Sequence, residues 1–298
     1  MSDQRATDRR GDERPRSLML GYLLTLSRPR FWLYTAGPVL VGVAYAADAV
    51  GDLLAPLPAL LFCYFLLPAN VYLYGVNDRF DREIDAENPK KAAEGSPEAR
   101  WRDSPAVTAV VAASGAVGLA LFPLTPRVAW PYLAGFFALA TAYSAPPLRF
   151  KARPLLDSLS NGLYLLPGAA AYAALAGVHP PAPALAGGWL WTMAMHTYSA
   201  IPDIEPDRAA GIETTATVLG ERRTYRYCGA CWTLAAVAFG LLDPRLGALL
   251  GIYPLFLLAT VGAGVDVDRA YWWFPVVNGV VGMLLTFGGL LRLVGVLA

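Results

Sequence analysis

The sequence predicts an all-α polytopic membrane protein, and three observations lead there. Of its 298 residues, 56% are hydrophobic and only 16% charged, with a mean hydropathy of +0.42. A soluble domain usually carries about 25% charged residues. Apolar runs recur along almost the whole chain. The basic residues between them alternate in density, as they do when successive loops lie on opposite sides of a bilayer.

A membrane-crossing helix needs about 20 mostly apolar residues. Nine windows qualify, near 27–47, 53–77, 104–122, 128–144, 154–177, 183–201, 227–242, 246–264 and 272–296. The seventh and eighth are parted by little more than Asp243, Pro244 and Arg245. With the N-terminus in the cytoplasm, all of the 24 basic residues except Arg127, Arg245 and Arg292 fall on the cytoplasmic side. Nine crossings then place the C-terminus outside.

Residues 1–17 are Arg-rich, contain acids and lack an apolar core, so they are expected to be a disordered cytoplasmic tail. Residues 18–298 are expected to form one membrane domain. Arg9 and Arg10 form a pair, but "GDERPR" separates them from the apolar run, which argues against an export signal. A net charge of +1 says nothing about a nucleic-acid partner, no compact basic, aromatic-interleaved patch argues for one, and none is expected. Cys228 and Cys231 have redox-motif spacing, yet they open an apolar span without other ligand-type neighbours, and are expected to be small buried residues. His179, in the loop "HPPAP", is expected to be exposed.

The chemistry concentrates in three polar segments. In "NDRFDREID", Asn77 to Asp85, the residues Asp78, Asp81 and Asp85 are spaced i, i+3 and i+7, on one helical face. Asn77, Tyr74 and Asn70 extend this stripe back into the apolar window. Glu83 points off the face and is expected to be solvated. Like charges in a low dielectric need a countercharge. A solvated helix end paired with Arg79 and Arg82 is the plain alternative.

The second segment, "IPDIEPD", follows the sixth window and carries Asp203 and Asp207 at i and i+4. Pro202 and Pro206 each lack a backbone donor, so the helix is expected to break and restart there. Two carboxylate clusters on one side of the membrane suggest a shared site for divalent cations. Hard oxygen ligands favour Mg²⁺, which completes its shell with substrate phosphates. The third segment, "YSAPPLRFKARP", presents Arg149, Lys151 and Arg153 on the same side. Such cations can clamp a diphosphate.

With these residues in hand, the chain resembles the UbiA superfamily of intramembrane prenyltransferases. The resemblance rests on "NDRFDREID", on "DIEPD" at Asp203 to Asp207, and on the "YSxPPxRxK" pattern from Tyr143 to Lys151. It implies a bundle of nine transmembrane helices around a central apolar cavity. It also implies that Asn77, Asp78, Asp81 and Asp85 coordinate one Mg²⁺, and that Asp203 and Asp207 bind another. Arg149 and Lys151 would hold the diphosphate, joined by Asn77, Tyr143 and Asn70. The departing diphosphate would leave an allyl cation facing an apolar chamber.

The continuation "ENPKK" departs from the "NRPxRPL" of the aromatic-prenylating branches. Together with the residues from Ile201 to Tyr225 it is similar to the haloarchaeal carotenoid-elongating branch, typified by lycopene elongase/hydratase. That implies transfer of a C5 unit from dimethylallyl diphosphate to an apolar polyene within the membrane lipid, with water added to the resulting tertiary cation. His196 shares a face with Ser199 and Asp203 and is a candidate to bind or deprotonate that water. A structural histidine is the plain alternative. Rival readings are a quinone precursor, a tetrapyrrole or an archaeal glycerolipid as acceptor, and, in another class, a cation-coupled transporter.

Overall fold

The computed structural model describes residues 19–87 and 101–297, and of 83–87 the backbone only. The expected tail over 1–17, the "ENPKK" continuation beyond Glu87 and the side chains of Glu83 and Asp85 lie outside the described residues. The described chain is helical, with no strand. The principal helices are α1 (Trp32–Ala46), α2 (Pro56–Leu66), α3 (Pro68–Glu87), α4 (Pro105–Leu119), α5 (Trp130–Ser144), α6 (Leu166–Ala176) and α7 (Ala182–Ser199). They continue with α8 (Ile204–Ala209), α9 (Thr215–Leu219), α10 (Glu221–Gly240), α11 (Pro244–Leu250), α12 (Ile252–Gly262), α13 (Val267–Trp272) and α14 (Phe274–Leu293). Several of these, among them α2, α4, α11 and α14, begin with a proline in the first turn, where no intrahelical donor is needed.

Each of the nine predicted windows contains helix, but three helical stretches among the described residues are long and apolar enough to cross a membrane. They are Val50–Arg82, Pro244–Gly262 and Val267–Leu293; α4 and α6 are shorter apolar helices. Length and apolarity thus establish three spans, and the count of nine remains an expectation.

The fifth window, 154–177, is not one helix. It opens with a four-residue turn, Leu156–Leu159, passes through a 3₁₀ segment, Ser160–Tyr164, and only then enters α6. The cause is the polar run Asp157, Ser158, Ser160 and Asn161. Ser160 Oγ donates to the Leu156 carbonyl at 2.6 Å and Asn161 Nδ2 to the Asp157 carbonyl at 2.6 Å, so side chains satisfy irregular backbone inside the bundle.

Small residues set the helix contacts. A Cβ on Gly42 of α1 would lie 2.2 Å from the Gly168 carbonyl oxygen of α6, so these two helices touch backbone to backbone. Gly289 of α14 packs on Ala44 of α1 and brings the last helix against the first. Two apolar clusters result. One joins α1, α2, α3, α5 and α6 around Phe65, Leu133 and Phe136. The other joins α7, α10, α12 and α14 around Tyr198, Trp232 and Phe274. Cys228 and Cys231 are buried free thiols in the second cluster, as expected. His179 is exposed and its Nδ1 lies 2.9 Å from the Tyr132 hydroxyl.

Candidate active site

The helix α3 runs ten residues past the end of its predicted apolar window at 77 and carries the first acidic motif on continuous helix. Asp78 is fully buried and Asp81 only 5% exposed. Burying two carboxylates demands compensation, and the chain provides it from distant segments. Arg28 Nη2 donates to Asp78 Oδ1 at 3.0 Å, and Lys151 Nζ forms an ion pair with Asp81 Oδ1. Arg28 reaches in from the turn ahead of α1, where its backbone has φ 51°, and its guanidinium lies 4.5 Å over the Tyr74 ring. Asn77 Oδ1 accepts a 2.5 Å hydrogen bond from Ser144 Oγ, which ties α3 to the end of α5.

Asn70 has another task. Its Nδ2 donates to Thr35 Oγ1 at 2.7 Å and to the Phe65 and Leu66 carbonyls at 3.0 Å each. It fills the break between α2 and α3, where Pro68 has no N–H to give. Eight residues of helix separate it from Asp78, about 12 Å along the axis. The structure therefore uses Asn70 as a hinge residue and does not bring it to the acidic cluster.

The basic segment starts where α5 ends. Arg149 has φ 39° and precedes the 3₁₀ turn Phe150–Ala152 that carries Lys151. The Nε of Arg149 is buried and has no hydrogen-bond partner among the described residues. Arg153 folds back, donating from Nη2 to the Pro147 carbonyl at 2.9 Å. Tyr143 faces α7: its hydroxyl lies 3.5 Å from His196 Nε2, and the two rings meet edge to face at 5.9 Å. Both retain accessible surface although protein surrounds them.

The second acidic motif is arranged differently. The helix α7 stops at Ser199 and α8 restarts at Ile204, as the prolines predict. Asp203 precedes α8, and its carbonyl accepts from Asp207 N at 2.8 Å. Both side chains are partly exposed. Glu205 pairs with Arg208 at 2.9 Å, and Arg208 also donates from Nε and Nη2 to the Thr217 carbonyl within α9.

Among the described residues no three His, Cys, Asp or Glu side chains converge as a ready-made metal site. The donor set nonetheless fits hard cations: Asn77, Asp78, Asp81, Asp203 and Asp207 offer oxygen alone. The buried, unsatisfied Nε of Arg149 fits an anion. Sequence reasoning missed Arg28, Ser144, Asp157 and Thr215. For Asp157 a signal existed: a carboxylate inside an apolar window is a functional flag. It is fully buried, with Oδ2 accepting from Thr215 N at 2.9 Å.

These features define an all-helical integral membrane protein with a polar, acid- and cation-lined site in an apolar bundle, the class that transfers apolar groups within the bilayer. The chain belongs to the UbiA prenyltransferase family, whose profile it matches over residues 35–275, and is a prenyl-transferring enzyme. It is 67% identical to the lycopene elongase/hydratase of Haloferax volcanii over 92% of this chain and 90% of the relative. It is 60% identical to the lycopene elongase/hydratase of Halobacterium salinarum over 91% of this chain and 98% of that one. Among solved structures, it matches that of a UbiA homolog from Archaeoglobus fulgidus bound to DMAPP and Mg²⁺. The TM-score is 0.66 at 20% identity, covering 93% of this chain and all of the other. The transporter reading gives way to this membership.

Proposed function

We propose that the chain transfers a C5 dimethylallyl group from dimethylallyl diphosphate to a terminal alkene of lycopene and adds water, acting as a lycopene elongase/hydratase in the synthesis of bacterioruberin-type carotenoids. The observation that carries this reading is the 67% identity over 92% of the chain to a relative of that name. In this reading residues 18–298 form one domain with the N-terminus and the site on the cytoplasmic side and the C-terminus outside.

Asn77, Asp78, Asp81 and Asp85 would hold one Mg²⁺ and Asp203 with Asp207 a second. Bound there, Mg²⁺ would supply positive charge to the diphosphate as its allylic C–O bond breaks. Lys151 would act as a point charge on the diphosphate, and Arg149 would spend its free Nε on a phosphate oxygen. Tyr34, Tyr74 and Tyr164 form an aromatic wall beside Arg28, with Tyr34 and Tyr164 edge to face at 6.2 Å. Ring faces favour nearby cations, and the wall would keep water from the allyl cation until the alkene attacks. The attack leaves a tertiary cation. His196, beside Tyr143, would take a proton from the water that captures it.

The test is pigment analysis of a strain lacking this gene, joined to membranes given labelled dimethylallyl or geranylgeranyl diphosphate with a panel of acceptors. Accumulated lycopene and a labelled, hydroxylated elongation product are expected. Unchanged pigments, or label only on a quinone precursor, a tetrapyrrole or a glycerolipid, would remove the polyene acceptor.

A further inference from the structure

We infer that Asp157 is a positioning residue: through Thr215 it locks the basic segment that carries Arg149 and Lys151 to the region of the second acidic motif, and so sets the geometry of the diphosphate site. The inference rests on the proposed diphosphate chemistry and adds a residue outside the two acidic motifs.

Both carboxylate oxygens of the fully buried Asp157 are spent on one residue. Oδ2 accepts from Thr215 N at 2.9 Å, and Oδ1 accepts from Thr215 Oγ1. The Thr215 hydroxyl in turn accepts from Leu155 N at 2.7 Å, so its one proton and a lone pair are both used. Leu155 sits at φ 70°, a left-handed conformation that a bulky side chain disfavours. The Thr215 bond holds that strained residue where the basic segment ends.

Each side of the latch leads to a site residue. Upstream, Lys151 pairs with Asp81 of the first acidic motif. Downstream, the Thr217 carbonyl takes the guanidinium of Arg208, the residue after Asp207 in α8. One path of ion pair, backbone and hydrogen bonds from the first motif to the second therefore runs through Asp157 and Thr215. A carboxylate suits this place because charge-assisted bonds are stronger than neutral ones in a low dielectric. The turn has a separate anchor: Ser158 Oγ lies 2.7 Å from Thr197 Oγ1 and 2.9 Å from the Tyr227 hydroxyl. Removing Asp157 therefore leaves the turn attached.

The experiment uses the full chain in lipid nanodiscs. It measures binding of inorganic diphosphate with Mg²⁺, and the KM for dimethylallyl diphosphate and for lycopene separately. Thr215→Val keeps the backbone N–H but loses the hydroxyl. It should weaken diphosphate binding and raise the donor KM by about tenfold, the worth of one charge-assisted hydrogen bond, with the lycopene KM unchanged. Thr215→Ser should restore both. Asp157→Ala should lose at least as much, and adding Thr215→Val to it should cost less than Thr215→Val costs alone, because the bond to Asp157 is already gone. Equal losses on both substrates, failed rescue by serine, or an Asp157→Ala protein with normal diphosphate binding would overturn the inference. Normal diphosphate binding by the unaltered protein without turnover of lycopene would sink only the acceptor. Absent diphosphate binding would sink both.

Discussion

Asp78 and Asp81 lie inside the bundle on a twenty-residue helix, whereas Asp203 and Asp207 lie partly exposed around a six-residue one. The buried pair is met by Arg28 and Lys151, which come from segments far away in sequence. The other pair stands on a helix restart organised by backbone bonds and by Arg208. The same residue type thus serves two mechanical roles. In the first region the acids are part of what holds helices together, so a change there should reach both fold and chemistry. In the second they are partly exposed, where a lost interaction costs less than in the interior, so a change should reach chemistry more than fold.

The largest expected effect is at the buried pair. Asp81→Ala should reduce prenyl transfer by about 10³-fold, the scale of losing a main electrostatic stabiliser. Asp78→Ala should in addition remove the ion pair that Arg28 makes with a fully buried carboxylate, lowering stability by about 3 kcal/mol; thermal melts in detergent beside turnover assays check both. Asp203→Ala should cost as much activity while moving stability by less than about 1 kcal/mol. A melt as depressed as that of Asp78→Ala would erase the contrast between the regions.

His196 stands on α7, which leads into the second motif, and tests a later step. His196→Gln should shift the product ratio from hydroxylated toward dehydrated elongated carotenoid by about 10²-fold, the usual weight of a general base. An unchanged ratio by chromatography would return His196 to a structural role. Gly162 lies where the broken fifth window meets α7, and its Cβ would fall 2.1 Å from the Trp189 ring. Gly162→Val should cost about 1–3 kcal/mol through overpacking, read as a lower melting temperature. The smallest effect belongs to Arg30, which lies 3.9 Å over the Trp272 ring and donates to its carbonyl at 2.8 Å. Arg30→Ala should cost about 1 kcal/mol and leave turnover near normal.

The contrast also explains what a reader of the sequence can foresee. The helical face shared by Asp78 and Asp81, the break after Ser199 and the buried Cys228 and Cys231 all follow from neighbours within a turn or two, where spacing and proline chemistry decide. The kink that Asn70 fills and the fracture at Asp157 were harder. Each has a local polar signal, but whether a side chain turns to its own backbone or to a ligand depends on what packs beside it.

The sequence by itself determined the membrane class, the two acidic motifs, the basic segment between them and the family they resemble, because periodicity, composition and spacing are local properties of the chain. Tertiary structure alone decided that Arg28 answers Asp78 across 50 residues and that Thr215 answers Asp157 across 58. It also decided that Tyr143 faces His196 across 53. Such partners are chosen by which helices touch, and that follows from the close packing of residues such as Gly42 and Gly168, which no spacing rule along the chain encodes.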